Sequence, residues 1–229
     1  MSWEGYLQSS GQVSRSHKLR NFLIRSTGDV DARLLYVWED LGEFCATATL
    51  AFLTRRKLLP SFFRDCILSV PYRLLYLDYS DTSENRGGNQ HQLGGPVQEA
   101  VKLGMLAFAS MIFVQISGVE MRFAYLAEKT QKTLVALQKP SKDDRLGWEI
   151  RTWLLLVSGI SLFQFQRRDW LDTCLAECLQ VLSLSSWSKT SLVLRGWLWI
   201  ERLQDEIGKG VYEDCLRVPQ PSYQPDSEI

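Results

Sequence analysis

Residues 146–165 read LGWEIRTWLLLVSGISLFQF, and this stretch decides the fold class. It is apolar on nearly every side of a helix and contains Trp148 and Trp153. A helix that is apolar all round either is buried in a core or spans a membrane. Because Arg151 and Arg167 bound the apolar run, it is shorter than the roughly 18–20 uninterrupted apolar residues of a span. We therefore predict the central helix of a protein core.

Helical spacing of apolar residues recurs on both sides of this stretch. It starts at Asp29, where either Asp29 or Asp31 is placed to cap a helix, and no useful period-2 alternation occurs anywhere. Pro71 should kink or split the helix predicted over 61–79. Further helices are predicted over about 48–59, 97–116, 123–137 and 146–165, then one capped by Asp169, and a last long one capped by Ser185 or Ser186 and stopped by Gly208 and Gly210.

The predicted fold class is all-α, an irregular bundle of about eight helices with a tryptophan-rich core. We expect residues 29–215 to form a single domain, since 229 residues fit one domain. Residues 1–28 lack periodicity and predict a loosely ordered segment. The glycine-rich run at 80–95 predicts a flexible loop, and the proline-containing stretch 216–229 predicts a disordered tail.

The charge balance argues against a nucleic-acid-binding surface. Lys plus Arg and Asp plus Glu number 26 each, so the formal net charge is zero. Proteins that neutralise phosphates usually carry a basic excess. The basic clusters 55–57 and 167–168 are short and fit solvated helix ends.

The membrane alternative is a single span over 103–119. The apolar run Leu103–Ile116 is bounded by Lys102 and is better interpreted as a second buried helix. The first 28 residues also lack the charged, apolar and small-residue pattern of a secretory signal.

Five cysteines are scattered along the chain and do not form a disulfide framework. We expect buried free thiols and a reducing, intracellular compartment. The five are Cys45, Cys66, Cys174, Cys178 and Cys215.

No residue pattern predicts catalysis, a metal site or a cofactor site. His17 and His91 have no carboxylate or cysteine at ligand spacing, and no phosphate-binding loop or GxSxG sequence occurs. Two acidic pairs, Asp143-Asp144 and Asp78 with Asp81, raise the idea of a terpene-cyclase-like diphosphate site. Position 147 is a glycine where a third acid would be needed, so helix capping is the preferred interpretation. We predict no enzyme.

Six tryptophans leave a choice between core packing and a ligand pocket. Large aromatics at helical spacing are usually core, and we prefer that interpretation, with a small-molecule effector pocket as the minor alternative. The six are Trp148, Trp153, Trp170, Trp187, Trp197 and Trp199.

Four short phrases follow one another between about Glu149 and Tyr212: Trp153-Leu154-Leu155 with Gly159, Arg167-Arg168-Asp169-Trp170, Leu184-Ser185-Ser186-Trp187, and Leu198-Trp199 with Asp205 and Gly208. Upstream of them, the segment Pro96–Gln115 contains the run EAVKLGML. In this order the phrases resemble the regulatory domain of fungal zinc-cluster transcription factors. That family's upstream phrase is E-A-x-R-L-G-x-L, and Lys102 stands in place of its arginine.

The resemblance implies a transcription-regulation protein that acts in the nucleus through a protein partner or self-association. The family's two-zinc, six-cysteine module is missing before this region, because no cysteine precedes Cys45. Direct DNA binding by this chain is therefore not expected, and the family supplies no catalytic residue. The alternative function is a stand-alone helical interaction or small-molecule-sensing module, cytoplasmic and without a role in transcription.

Overall fold

The computed structural model describes residues 11–79, 95–114, 123–164 and 168–217. Within these ranges the regular elements are helices and no strand occurs, which confirms the predicted all-α class. The nine α-helices are α1 (Gly11–Thr27), α2 (Ala32–Thr54), α3 (Pro60–Tyr76), α4 (Pro96–Ala109), α5 (Ala124–Ala136), α6 (Arg145–Ser161), α7 (Asp169–Val181), α8 (Trp187–Arg195) and α9 (Glu201–Leu216).

Helix α6 is the centre of the bundle, as predicted. Every residue from Gly147 to Ile160 is buried. The helix packs against α1, α4, α7, α8 and α9. Its all-round apolar surface is thus covered by neighbouring helices, as expected for the central helix of a core.

Tryptophans form the middle of the core. The rings of Trp38 and Trp153 meet edge to face with centroids 5.2 Å apart, and Trp197 lies 6.1 Å from Trp38 in the same manner. These are the geometries that the ring quadrupole favours. Trp199 is also buried, and the predicted tryptophan-rich core is confirmed.

Helix α1 shows that the prediction of a loose segment over residues 1–28 is wrong for residues 11–27. Leu19 and Leu23 are completely buried in the common core. The Nζ of Lys18 lies 2.5 Å from Glu149 Oε2 and 4.5 Å from the centre of the Trp197 ring. The domain therefore includes this helix and does not begin at residue 29. Residues 1–10 lie outside the described ranges.

Helix α2 is continuous through the break predicted near residue 48. It begins as expected at Asp31, whose side chain accepts a 2.8 Å bond from the Arg33 backbone N–H. It ends at Arg55, in a left-handed conformation (φ 54°). Helix α3 likewise passes through Pro71 without splitting.

Helix α4 opens with Pro96 in its first turn and continues as a π-helical turn over Ser110–Val114. The helical stretch Pro96–Val114 is long and apolar enough to cross a membrane by composition, but 67% of its most apolar window is buried inside the protein. A core helix has the same composition. The flexible loop predicted over 80–95 lies outside the described ranges, except for Gly95.

The last three helices differ from the predicted boundaries. Asp169 is the first residue of α7 and Arg168 takes the cap position. Ser186 does cap α8, but the predicted long helix is two helices joined by a link over 196–200, of which residues 197–200 are buried. Gly208 and Gly210 lie inside α9 and do not stop it. Of the predicted tail 216–229, Leu216 is instead the last residue of α9 and Arg217 caps it, and residues 218–229 lie outside the described ranges.

Candidate functional site

A buried charged cluster lies on one side of the bundle, formed by Glu99, Lys102 and Lys129. The Lys102 Nζ is 2.6 Å from Glu99 Oε2, and the Lys129 Nζ is 2.8 Å from Glu99 Oε1. The Glu99 and Lys102 side chains are 7% and 6% exposed, whereas Lys129 is 32% exposed. The hydrogen bond from Lys129 to Glu99 raises the pKa of Lys129. One carboxylate thus holds two ammonium groups, and the cluster carries one net positive charge.

The cluster continues into a polar network at the start of α2. Lys102 Nζ donates a 3.0 Å hydrogen bond to the Leu77 carbonyl and lies 5.6 Å from the centre of the Tyr79 ring. The Tyr79 hydroxyl donates a 3.0 Å bond to Asp31. Burial acts to raise the pKa of Asp31, but hydrogen bonds from Arg33 and Tyr79 outweigh it and hold that pKa below its usual value. Charged groups are thus fixed beside α4 before any ligand arrives.

Next to this cluster α3, α4 and α5 line an open cavity of about 710 Å³, which we call the α3–α5 cavity. Its volume falls in the range of about 300–1,000 Å³ that small-molecule sites occupy. Most of its lining is apolar, including Leu74, Leu103, Leu106, Phe123 and Leu126. Its polar lining consists of Asp78, Lys102, Ser110 and Lys129, with the hydroxyl of Tyr125.

Two helix irregularities face this cavity. Pro71 lines it from inside α3, and because proline has no N–H it cannot bond to the Ile67 carbonyl one turn earlier. Ser110 and Val114, at the two ends of the π-helical turn, line it from α4. Such turns occur frequently at functional sites. The cavity is therefore built where two helices depart from regular geometry.

A second candidate surface lies on the outer side of α2 and α3. Tyr36, Tyr72 and Tyr76 are 61%, 76% and 81% exposed, and they line a groove of about 400 Å³ together with Arg33 and Arg73. We call these five residues the tyrosine face. Arg33 pairs with Asp31, and Arg73 pairs with Asp40. The face is consequently aromatic with its arginine charges already balanced.

The cysteines are free thiols and four of the five are buried, as predicted, whereas Cys174 is half-buried. Burial raises the pKa of Cys45, Cys178 and Cys215 to about 12, and that of Cys66 to about 11. Since the thiolate is the reactive form, these four groups are chemically protected.

The other candidates from the sequence are dispersed. His17 is exposed on α1, and His91 and Asp81 lie outside the described ranges. Asp144 caps α6, accepting a 3.1 Å hydrogen bond from the Gly147 N–H. Among the described residues, no three His, Cys, Asp or Glu side chains are placed to hold a metal ion.

The six tryptophans weighed as pocket residues belong to the core or its border. Trp148, Trp153, Trp197 and Trp199 are buried, and Trp170 and Trp187 pack against the core half-buried. The α3–α5 cavity and the groove of the tyrosine face are lined by other residues.

The residues that carry the family resemblance have packing and capping roles. A Cβ on Gly104 would lie 2.5 Å from Leu154 Cδ2, and one on Gly208 would lie 2.8 Å from the Trp187 ring. Asp205 accepts a 2.7 Å hydrogen bond from the Trp199 indole. Arg168, the N-cap residue of α7, forms ion pairs with Asp172 and Asp214 at 3.2 and 2.5 Å. These phrases define how the last helices pack.

Sequence reasoning missed both surfaces, although a signal for each was present. Glu99 and Lys102 are spaced three apart in an otherwise apolar helix, which places opposite charges on one side. Tyr72 and Tyr76 are spaced four apart and so share a helix face.

No protein-family model, curated protein or solved structure matches this chain significantly. The class of protein is therefore defined by the fold alone, an all-α helical bundle. Its function has to be argued from the α3–α5 cavity and the tyrosine face.

Proposed function

We propose that this chain is a transcription-regulation protein similar to the regulatory domain of fungal zinc-cluster factors. In this proposal it works in the nucleus through protein–protein association, with a second copy of itself as the partner and the tyrosine face as the contact surface. It does not bind DNA directly.

The observation that carries the proposal is the exposure of three tyrosines on one face. Tyr72 and Tyr76, one turn apart on α3, each leave about four-fifths of their area in solvent, and Tyr36 adds a third ring from α2. Tyrosine and arginine are enriched at the energetically dominant positions of protein interfaces. Contiguous exposed apolar patches mark interaction sites, whereas apolar residues exposed singly are normal on a protein surface.

Charge favours a second copy as the partner. The chain has zero formal net charge, so two copies do not repel each other at long range, and a net charge near zero promotes association. Within the face, Arg33 and Arg73 are already paired with Asp31 and Asp40. Two such faces can therefore meet around a two-fold axis without placing like charges opposite each other.

The regulatory role rests on the resemblance and on what its residues do here. Gly104, Asp205 and Gly208 support the packing of α4, α6, α8 and α9. The residues of the resemblance thus support the packing of the helices. The partner is selected by other residues, those of the tyrosine face on α2 and α3.

A tethering experiment tests the role in transcription. The chain is fused to an unrelated DNA-binding domain and a nuclear import sequence, and transcription of a reporter gene is measured in a fungal host. We expect the fusion to change reporter output at least fivefold, and the Tyr72→Ser/Tyr76→Ser fusion to return it to the baseline. Leu192→Ser is the matched control, because this leucine is 67% exposed but lies on α8 and lines neither the groove of the tyrosine face nor the α3–α5 cavity.

The alternative function, an interaction or small-molecule-sensing module outside transcription, predicts a different result. Under this alternative, the fusion protein is folded and nuclear and the chain still associates, but transcription of the reporter gene does not change. That outcome would remove the role in transcription and retain the association.

A further inference from the structure

We propose that the α3–α5 cavity binds an amphiphilic carboxylate, a molecule with a mainly apolar body and one terminal carboxylate group. The body lies among the leucine side chains of the cavity and the carboxylate lies on the Lys129 ammonium. This site is distinct from the tyrosine face and does not depend on the proposed role in transcription.

The walls of the cavity determine the apolar part of the ligand. Leu74 comes from α3, Leu103 and Leu106 from α4, and Phe123 and Leu126 from the start of α5. A ligand body held between them removes apolar surface from water on several sides at about 25 cal/mol per Å². The cavity of about 710 Å³ has room for a chain of a dozen carbons with its head group.

The charged cluster determines the head group. Lys102 and Lys129 contribute two positive charges and Glu99 one negative charge, all of them held next to the cavity. The Lys102 ammonium is committed to Glu99 and to the Leu77 carbonyl. Lys129 is one-third exposed, and an ammonium group has three donors, so it can bind a ligand carboxylate while keeping Glu99.

Asp78 is the acidic group on the cavity lining and acts electrostatically on Lys129. It is exposed, so water screens its charge more than that of the buried Glu99. It lowers the attraction for an anion without reversing it. Removing its charge should therefore tighten the binding of a carboxylate.

The test is calorimetric titration of the full chain with dodecanoate below its micelle concentration. Dodecanol and dodecylammonium serve as probes of the same chain length that are neutral and positively charged. We expect dodecanoate to bind at least tenfold more tightly than dodecanol, and dodecylammonium to bind more weakly than both. Asp78→Asn should strengthen dodecanoate binding severalfold.

Two variants connect the binding to this cavity. Lys129→Met should lower the affinity for dodecanoate to that for dodecanol and leave the dodecanol affinity unchanged. Ala124→Trp should fill part of the cavity and weaken all binding at least tenfold, because Ala124 lines the cavity from an exposed position where a larger side chain need not disturb folding. Thermal unfolding followed by circular dichroism checks that both variants are folded.

Equal affinity for the three probes would overturn the proposal, because it would indicate apolar adsorption without a head-group site. Unchanged dodecanoate binding by folded Ala124→Trp would overturn it as well, because the ligand would then lie elsewhere. Neither result bears on the tyrosine face, whose association is measured separately.

Discussion

The indole Nε1 of Trp153 donates a 2.8 Å hydrogen bond to the backbone carbonyl of Leu198. Trp153 is at the middle of α6, and Leu198 is in the link between α8 and α9. The bond satisfies a backbone carbonyl of a buried residue that lies outside the helices. It thus connects the central helix to the link between α8 and α9.

Trp153→Phe tests that connection. The variant keeps an aromatic ring but leaves the Leu198 carbonyl unpaired and a void in the core. We expect a loss of about 2–4 kcal/mol in the free energy of unfolding, from the unsatisfied carbonyl and the missing ring volume. Denaturant unfolding measures it. Trp170→Phe, at a half-buried position, should lose clearly less, and an equal loss would remove the special role of Trp153.

Gly104→Ala tests the close packing of α4 on α6. The new Cβ would lie 2.5 Å from Leu154 Cδ2 and 3.0 Å from the Trp153 ring, so the Leu154 side chain must shift or the two helices must move apart. Overpacking of this kind costs about 1–3 kcal/mol. The matched control is Gly42→Ala in α2, where nothing lies within 4 Å and helix propensity should add about 0.5–1 kcal/mol. In chemical unfolding we expect Gly104→Ala to lower the free energy of unfolding and Gly42→Ala to raise it. A change of the same sign in both variants would contradict the packing argument.

Lys102→Met tests the buried charged cluster. Glu99 would lose one of its two ammonium partners while remaining buried, and breaking a buried pair costs about 3–5 kcal/mol. Lys132→Met removes a partner from Glu128 in an exposed pair one turn apart. The melting temperature should fall for Lys102→Met and stay unchanged for Lys132→Met. Similar melting temperatures for the two variants would show that burial does not determine how much the ion pairs of the cluster stabilise the fold.

The thiols should react in an order set by burial. In the folded protein at pH 8, iodoacetamide should modify Cys174 first, because burial raises the pKa of Cys45, Cys178 and Cys215 to about 12. Mass spectrometry of the peptides gives the order, and all five thiols should react once the chain is unfolded. Modification of Cys178 as fast as Cys174 would contradict the burial of α7's inner face.

The sequence predicted the helical class and the central helix because α6 has an unambiguous signal. Its residues are apolar on all sides, and only a surrounding layer of helices satisfies such a pattern in a folded core. The caps at Asp31 and Ser186 were also predictable, since a side-chain oxygen at these positions accepts from the first helical N–H groups.

The errors have identifiable physical causes. In α1, Leu19 and Leu23 are four apart and buried, but the serines and glutamine around them dilute the helical pattern. From Trp197 to Ile200 four consecutive residues are buried in a link, and a short apolar run has the same composition whether it is helical or extended. Gly208 resembles a helix stop and instead makes room for Trp187.

The two surfaces depend on tertiary geometry that periodicity does not contain. Glu99 and Lys129 come from different helices, and only the packing of α4 on α5 brings them to 2.8 Å. Tyr36 and Tyr76 similarly come from α2 and α3 and share one groove. Pair contacts between distant segments have to be observed in the structure.

Sedimentation equilibrium over a wide concentration range tests the central claim, that the tyrosine face joins two copies. The account predicts that the apparent mass of the wild-type chain rises from 26.3 kDa towards twice that value as concentration increases. Tyr72→Ser/Tyr76→Ser should remain at the mass of one chain, and Leu192→Ser on α8 should behave as the wild type. A wild-type chain that stays at 26.3 kDa throughout, or a double variant that assembles equally well, would contradict the claim.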